Sequence, residues 1–145
     1  MKRLNFSISI NAPATKVWEA LWDDNNYREW TSVFCEGSYV ETDWNEGSKA
    51  LFLSPGGEGM YSTIAINKPN EVMSFRHIGM VKDGKELPID DATRSWSGAE
   101  ESYYLRETDG QTELTVEMDI TEEHAAYFND AFPKGLEKIK SISES

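Results

Sequence analysis

The sequence predicts an α+β fold: a curved antiparallel sheet of six to seven strands wrapped around a long C-terminal helix, with two short helices after the first strand. Three observations carry this expectation. Leu4, Phe6, Ile8 and Ile10 alternate with Arg3, Asn5, Ser7 and Ser9, the period of a half-buried strand. Between Pro13 and Trp30 the apolar residues switch to helical spacing. At the far end, Ala125, Phe128, Phe132, Leu136 and Ile139 form a stripe at intervals of three and four on a single helix.

The elements follow in order. Pro13 suits the opening of a helix, where its missing N–H has no intrahelical partner to lose, and Val17, Trp18, Leu21 and Trp22 follow it to give a helix near Pro13–Trp22. A second helical stretch runs from about Asn25 to Trp30. Strand-like segments come next near Gly37–Asp43, Lys49–Leu53, Met60–Asn67, Val72–Ile78, Trp96–Glu107 and Glu113–Thr121. Turn chemistry separates them: Pro55-Gly56-Gly57-Glu58-Gly59, Lys68-Pro69-Asn70 and Asp109-Gly110. The segment from Met80 to Ser95 is longer than a hairpin needs and reads as a mobile excursion over one end of the sheet. Thr121 is placed to cap the last helix, with Glu122 and Glu123 favourable against its dipole. Pro133 costs that helix a backbone hydrogen bond, about 3 kcal/mol in a helix interior. Gly135 weakens it further, so a kink is expected around Asn129–Pro133 within one continuous helix.

Bulk properties exclude several function classes. The 145 residues read as one domain, with 39% hydrophobic and 28% charged residues, an ordinary globular balance. A formal net charge of -12 argues against nucleic acid or an anionic membrane surface as partner. No apolar run approaches the roughly 20 residues of a membrane span, and no export signal opens the chain. The single cysteine, Cys35, cannot form an intrachain disulfide, and the expected location is the cytoplasm. Cys35, His77 and His124 are scattered, so no metal site is expected. There is no nucleophile elbow and no phosphate-binding loop, and no cofactor is expected. The oligomeric state is open.

The residues Ala12-Pro13 with Val17-Trp18 and Leu21, then Trp30, then Trp44 with Gly47, resemble the START-like (SRPBCC) superfamily. Ile64 with Pro69, Met73 and Phe75, then Leu105 and Gly110-Gln111-Thr112 leading into Leu114, continue the resemblance across nearly the whole chain. That superfamily's helix-grip fold is shared with the birch-pollen allergen and polyketide cyclases. Within it the chain resembles the group related to the C-terminal domain of the activator of the large heat-shock chaperone ATPase. The resemblance implies a helix-grip fold, a chaperone as one class of partner, and a link to the stress response. His77 departs from the group's pattern, which commonly has an aromatic near that strand end, and Pro133 is not needed by a plain grip helix. No second domain precedes the module, so a complete co-chaperone architecture is not expected.

Alternation places Phe6, Phe52, Ile64, Met73, Phe75, Leu105, Val116 and Met118 on the inner face of the sheet. With five Trp, six Tyr and six Phe in the chain, these residues suit an apolar pocket for a small molecule, or equally a filled core. Counting by twos puts His77, Glu101 and Tyr103 inward as well. An imidazole beside a carboxylate can orient a ligand or move a proton, and can also be a hydrogen-bonded polar pair at the sheet end. The first functional expectation is therefore a non-enzymatic module binding a small apolar or amphipathic molecule. Its candidate ligand-binding residues are Phe52, Phe75, His77, Glu101, Tyr103, Met118, Phe128 and Phe132. The alternatives are a chaperone-modulating interaction protein, with the acidic strand faces around Glu113 and Glu117 as its surface, and a cyclase- or dehydratase-type enzyme using His77 and Glu101.

Overall fold

The alternation at the N-terminus forms strand β1 (Lys2–Ile10), and its polar face stays exposed while Leu4 and Ile10 are buried. The computed structural model describes all residues 1–145. Helix α1 (Ala14–Trp22) follows, with Pro13 at its N-cap. Proline supplies no side-chain acceptor there, and the Glu107 carboxylate takes over by accepting from the Ala14 N–H at 2.7 Å. Asp23 ends α1 and opens helix α2 (Asp24–Thr31), accepting from the Asn26 N–H at 3.4 Å. The Trp30 indole ties the two helices together by donating to the Leu21 carbonyl at 3.0 Å.

Five further strands and a short helix lie between these and the last hairpin. They are β2 (Tyr39–Glu41), β3 (Lys49–Ser54), β4 (Glu58–Lys68), β5 (Val72–Lys82), β6 (Lys85–Glu86) and α3 (Asp91–Arg94). β7 (Ala99–Thr108) and β8 (Gln111–Ile120) complete the sheet, and α4 (Glu122–Glu144) closes the chain. All pairings are antiparallel, in the order β1-β8-β7-β5-β4-β3-β2, with β6 added beside β5. Asp109 and Gly110, both at positive φ, make the two-residue turn between β7 and β8. The β4–β5 pair carries register shifts at Tyr61/Ser62 and Ile64/Ile66. Such bulges bend the strand and sharpen its twist, which helps the sheet curl round a helix.

The sequence expectation differs from the structure in several places. The Met80–Ser95 segment is not one loop: β5 continues to Lys82, turns through Asp83 and Gly84 at positive φ, and pairs with β6. Asp90 then caps α3 by accepting from the Thr93 N–H at 2.8 Å. β6 raises the strand count to eight. The Trp96–Glu107 strand begins only at Ala99, because Trp96 sits in the turn after α3. Thr121 occupies the N-cap of α4, yet its hydroxyl pairs with the His124 ring at 2.7 Å and leaves the backbone uncapped by a side chain.

α4 runs unbroken through Pro133 and buries Ala125, Ala131, Phe132, Gly135, Leu136 and Ile139. Its backbone comes nearest to β1, α1 and α2, and Phe132 reaches Tyr103 of β7 at a centroid distance of 6.4 Å. Phe132 stacks on Phe6 with ring centroids 4.9 Å apart. Gly135 faces α2, where an added Cβ would stand 3.5 Å from the Trp30 ring. The glycine read as a weak point is therefore a contact surface. No helix is long and apolar enough to cross a membrane.

Pro133 is exposed, so its replacement leaves the core untouched. Pro133→Ala restores the missing N–H to the helix, and hydrogen exchange of the amides across Asn129–Gly135 is expected to slow. Unchanged exchange there would show that the proline does not loosen α4.

Candidate functional site

α4 comes nearest the sheet at β1, which leaves space between the helix and the concave faces of β3 and β5. A cavity of about 960 Å³ occupies this space. Small-molecule sites usually fall at roughly 300–1,000 Å³. The strands deliver the side chains in register: Phe75 lies opposite Glu101, Met73 opposite Tyr103, and Glu101 opposite Met118. Phe52 reaches in from β3, and Phe128 and Phe132 from α4. All eight residues singled out from the sequence line this one cavity.

The sequence reading missed the wall contributed by the two N-terminal helices. Trp22, Tyr27 and Trp30 close that side. Trp22 meets Tyr103 and Phe75 edge-on, at centroid distances of 5.0 and 5.5 Å. Its indole N–H is buried without a hydrogen-bond partner. The signal for this wall was the pair Tyr27 and Trp30, three apart on α2, whose rings meet at 5.7 Å. Met80, Thr93 and Trp96 add lining from the β5–β7 connection.

One polar cluster sits among these aromatics. His77 Nε2 donates to Glu101 Oε1 at 2.9 Å, and the Tyr103 hydroxyl donates to Glu101 Oε2. Behind the imidazole, the Ser62 hydroxyl lies 2.6 Å from Nδ1. Ser62 comes opposite His77 through the register shift after Tyr61, which period-two counting does not foresee. It is 1% exposed and does not line the cavity, so it orients the ring and is not placed as a nucleophile.

The electrostatics follow from this geometry. Burial works to raise the Glu101 pKa, but the His77 hydrogen bond, the charge of that ring once protonated, and the Tyr103 hydroxyl outweigh it and hold the carboxyl below its ordinary value. Burial, then the Glu101 charge, push the Tyr103 hydroxyl well above its ordinary range. The same two causes in the same order raise Tyr27. Such a cluster can hold a ligand's polar head or pass a proton to it. No group of three or more His, Cys, Asp or Glu side chains is arranged to hold a metal ion.

A depressed carboxyl pKa has a definite sign. The folded state prefers ionised Glu101, so its contribution to stability is complete above the unfolded value, near 4.5, and is lost as pH falls through the lower folded value. Relative to Glu101→Gln, the wild type is expected to lose stability on acidification, measured by urea unfolding at neutral and strongly acid pH. A difference independent of pH would show that the carboxylate is not held by these partners.

A family model described as Activator of Hsp90 ATPase homolog 1-like protein matches residues 11–144. No curated protein matches the chain. Among solved structures, the Aha1 dimer from Colwellia psychrerythraea superposes with a TM-score of 0.75 at 24% identity, covering 99% of this chain and 97% of that one. Protein MLL2253 from Mesorhizobium loti gives 0.75 at 16% identity, covering 97% and 96%. DynU16, from the dynemicin biosynthetic locus, gives 0.72 at 14% identity, covering 100% of this chain and 48% of that one. With the family model spanning nearly the whole sequence and these structures superposing along its length, the chain belongs to the Activator of Hsp90 ATPase homolog 1-like family, within the START-like helix-grip fold.

Proposed function

We propose that residues 1–145 act as a single cytoplasmic module that holds a small amphipathic molecule, an apolar or aromatic body with a polar head, in the cavity between the sheet and α4. The observation that carries this reading is the combination of about 960 Å³ of space, aromatic walls and one hydrogen-bonded polar cluster. Phe52, Phe75, Met118, Phe128 and Phe132 supply the apolar surface, with His77, Glu101 and Tyr103 at the head. Glu101 receives one hydrogen bond on each oxygen, and a carboxylate oxygen accepts two. The acceptor capacity left over favours a ligand that donates, such as a hydroxylated ring. A fatty acid brings a second carboxylate and is repelled.

Calorimetric titration with 2-naphthol and decanoate tests this. An unmet polar group in an apolar site costs about 1–3 kcal/mol, so the phenol is expected to bind roughly tenfold tighter. A clear preference for decanoate would overturn the donor assignment.

Two other readings have specific support. Family membership favours modulation of a large chaperone's ATPase. An ATPase assay with the chain and with charge reversals at Glu113 and Glu117 decides it, and a rate indifferent to the chain removes it. The inward-facing His77–Glu101 pair favours a cyclase- or dehydratase-type proton transfer, as does the likeness to a protein of a biosynthetic locus. General acid–base catalysis of that kind contributes about 10²–10⁴-fold, which loss of turnover in His77→Ala would reveal.

A further inference from the structure

The side chains lining the cavity carry a one-sided charge. Glu58, Asp90, Glu101, Asp119 and Glu123 face it, and no Lys or Arg does. The only basic groups are the imidazoles of His77 and His124. Three of the outer carboxylates have protein partners: Asp119 pairs with Arg3 at 2.7 Å, Asp90 caps α3, and Glu123 stands 3.7 Å from His124. Glu101 is different: it is set back among the aromatic rings, its partners are His77 and Tyr103, and no Lys or Arg reaches it. The Ser62 hydroxyl stands 2.6 Å from Nδ1 of His77 and Nε2 meets the carboxylate at 2.9 Å, so both ring nitrogens are occupied within the protein.

A second observation concerns Tyr27. The residue is 7% exposed and lines the cavity, and Tyr27 enters the side-chain hydrogen bonds only through its backbone carbonyl, which accepts from Thr31. It is near enough to Glu101 for the carboxylate's charge to be felt there. A hydroxyl that opens on the cavity and makes no protein hydrogen bond is free to meet a ligand or water there.

We infer that this cavity selects a cationic ligand, a primary amine carried on an apolar or aromatic body, whose ammonium sits against Glu101 and the Tyr27 hydroxyl. The inference rests on the reading of the cavity as a ligand site and narrows its ligand class. An ammonium offers three N–H donors, enough for Glu101, the Tyr27 oxygen and the Tyr103 oxygen together, where an alcohol offers one. The surrounding ring faces are negative and attract a cation, and they do so more strongly once water is excluded. The acidic rim and the net charge of -12 concentrate cations at the mouth and disfavour anions.

Three probes of one shape separate the possibilities: 2-naphthylmethylamine, 2-naphthalenemethanol and 2-naphthoate, titrated calorimetrically at neutral pH into the wild type and Glu101→Gln. The amine is expected to bind the wild type at least about tenfold tighter than the alcohol, with the acid weakest. In Glu101→Gln the amine should lose its roughly tenfold advantage over the alcohol. An alcohol as tight as the amine in the wild type overturns the cationic assignment and leaves the ligand-site reading standing. Amine binding unaffected by Glu101→Gln places the probe on the acidic exterior and overturns the assignment too. If none of the three binds, the ligand-site reading itself falls. Should the variant fail to fold, the order of the three probes on the wild type still decides.

Discussion

The position of α4 is the constraint on which the rest of the molecule depends. A helix with one apolar stripe must bury it, and here the partners are β1 on one flank and α1 with α2 on the other. Phe132 is fixed between Phe6, at 4.9 Å, and Phe34, at 5.2 Å, and Gly135 lets the helix come close to Trp30. Held there, α4 cannot also cover the concave faces of β3 and β5. The space left over is bounded by rings too large and too well packed among themselves to collapse into it. Phe52 and Phe75 meet edge-on at 5.0 Å, and Trp22 and Tyr103 do the same at 5.0 Å. Close packing at the β1 end of the concave face therefore leaves the cavity at its β3 end.

The polar cluster shows the complementary principle. A carboxylate among aromatic rings is stable only if its charge is met by donors, and Glu101 receives them from His77 on the neighbouring strand and Tyr103 two residues along its own. Ser62 finishes the arrangement from β4 by fixing the far side of the imidazole. Three adjacent strands thus share one network, and the register shift that brings Ser62 opposite His77 belongs to the site as much as the side chains do. A cluster of this kind tolerates substitution poorly at any member, because each removal leaves another polar group unmet.

How far all this could be read from residues depends on the range of the interaction. Strands β1, β5, β7 and β8 and the stripe of α4 are local periodicities, and the sequence displays them directly. The same counting put Phe75, His77, Glu101 and Tyr103 on one face, and the structure places them there. β6 and α3 were missed because a two-residue strand and a four-residue helix are too short to show a period. Asp83-Gly84 and Asp90 were their only marks, a hairpin turn and a cap. Ser62 was missed because a bulge breaks the phase on which counting relies. Tyr27 and Trp30 belong to a stretch that reads only as a helix, and the fold makes them a wall of the cavity. The cavity itself is a difference between packed volumes, and no local pattern encodes it.

One further consequence lies in the pairing of β1 with β8, which runs in unbroken register from Lys2 opposite Ile120 to Ile10 opposite Thr112. The first strand to be made has as its sheet partner the last, and bringing the two together closes a loop of most of the chain. Loop closure of that span is entropically expensive and slows folding, since the contacts it rewards come only after the ends have met. During synthesis Leu4, Phe6, Ile8 and Ile10 wait without their neighbour until residue 120 has emerged, an apolar strand with a free edge. The polar residues that alternate along it, Arg3, Asn5, Ser7 and Ser9, face outward in the finished sheet and interrupt its apolar run before then. The order of events in the cell is thereby written into the topology: the cavity has no complete floor until the chain is nearly finished, and its roof, α4, arrives last of all.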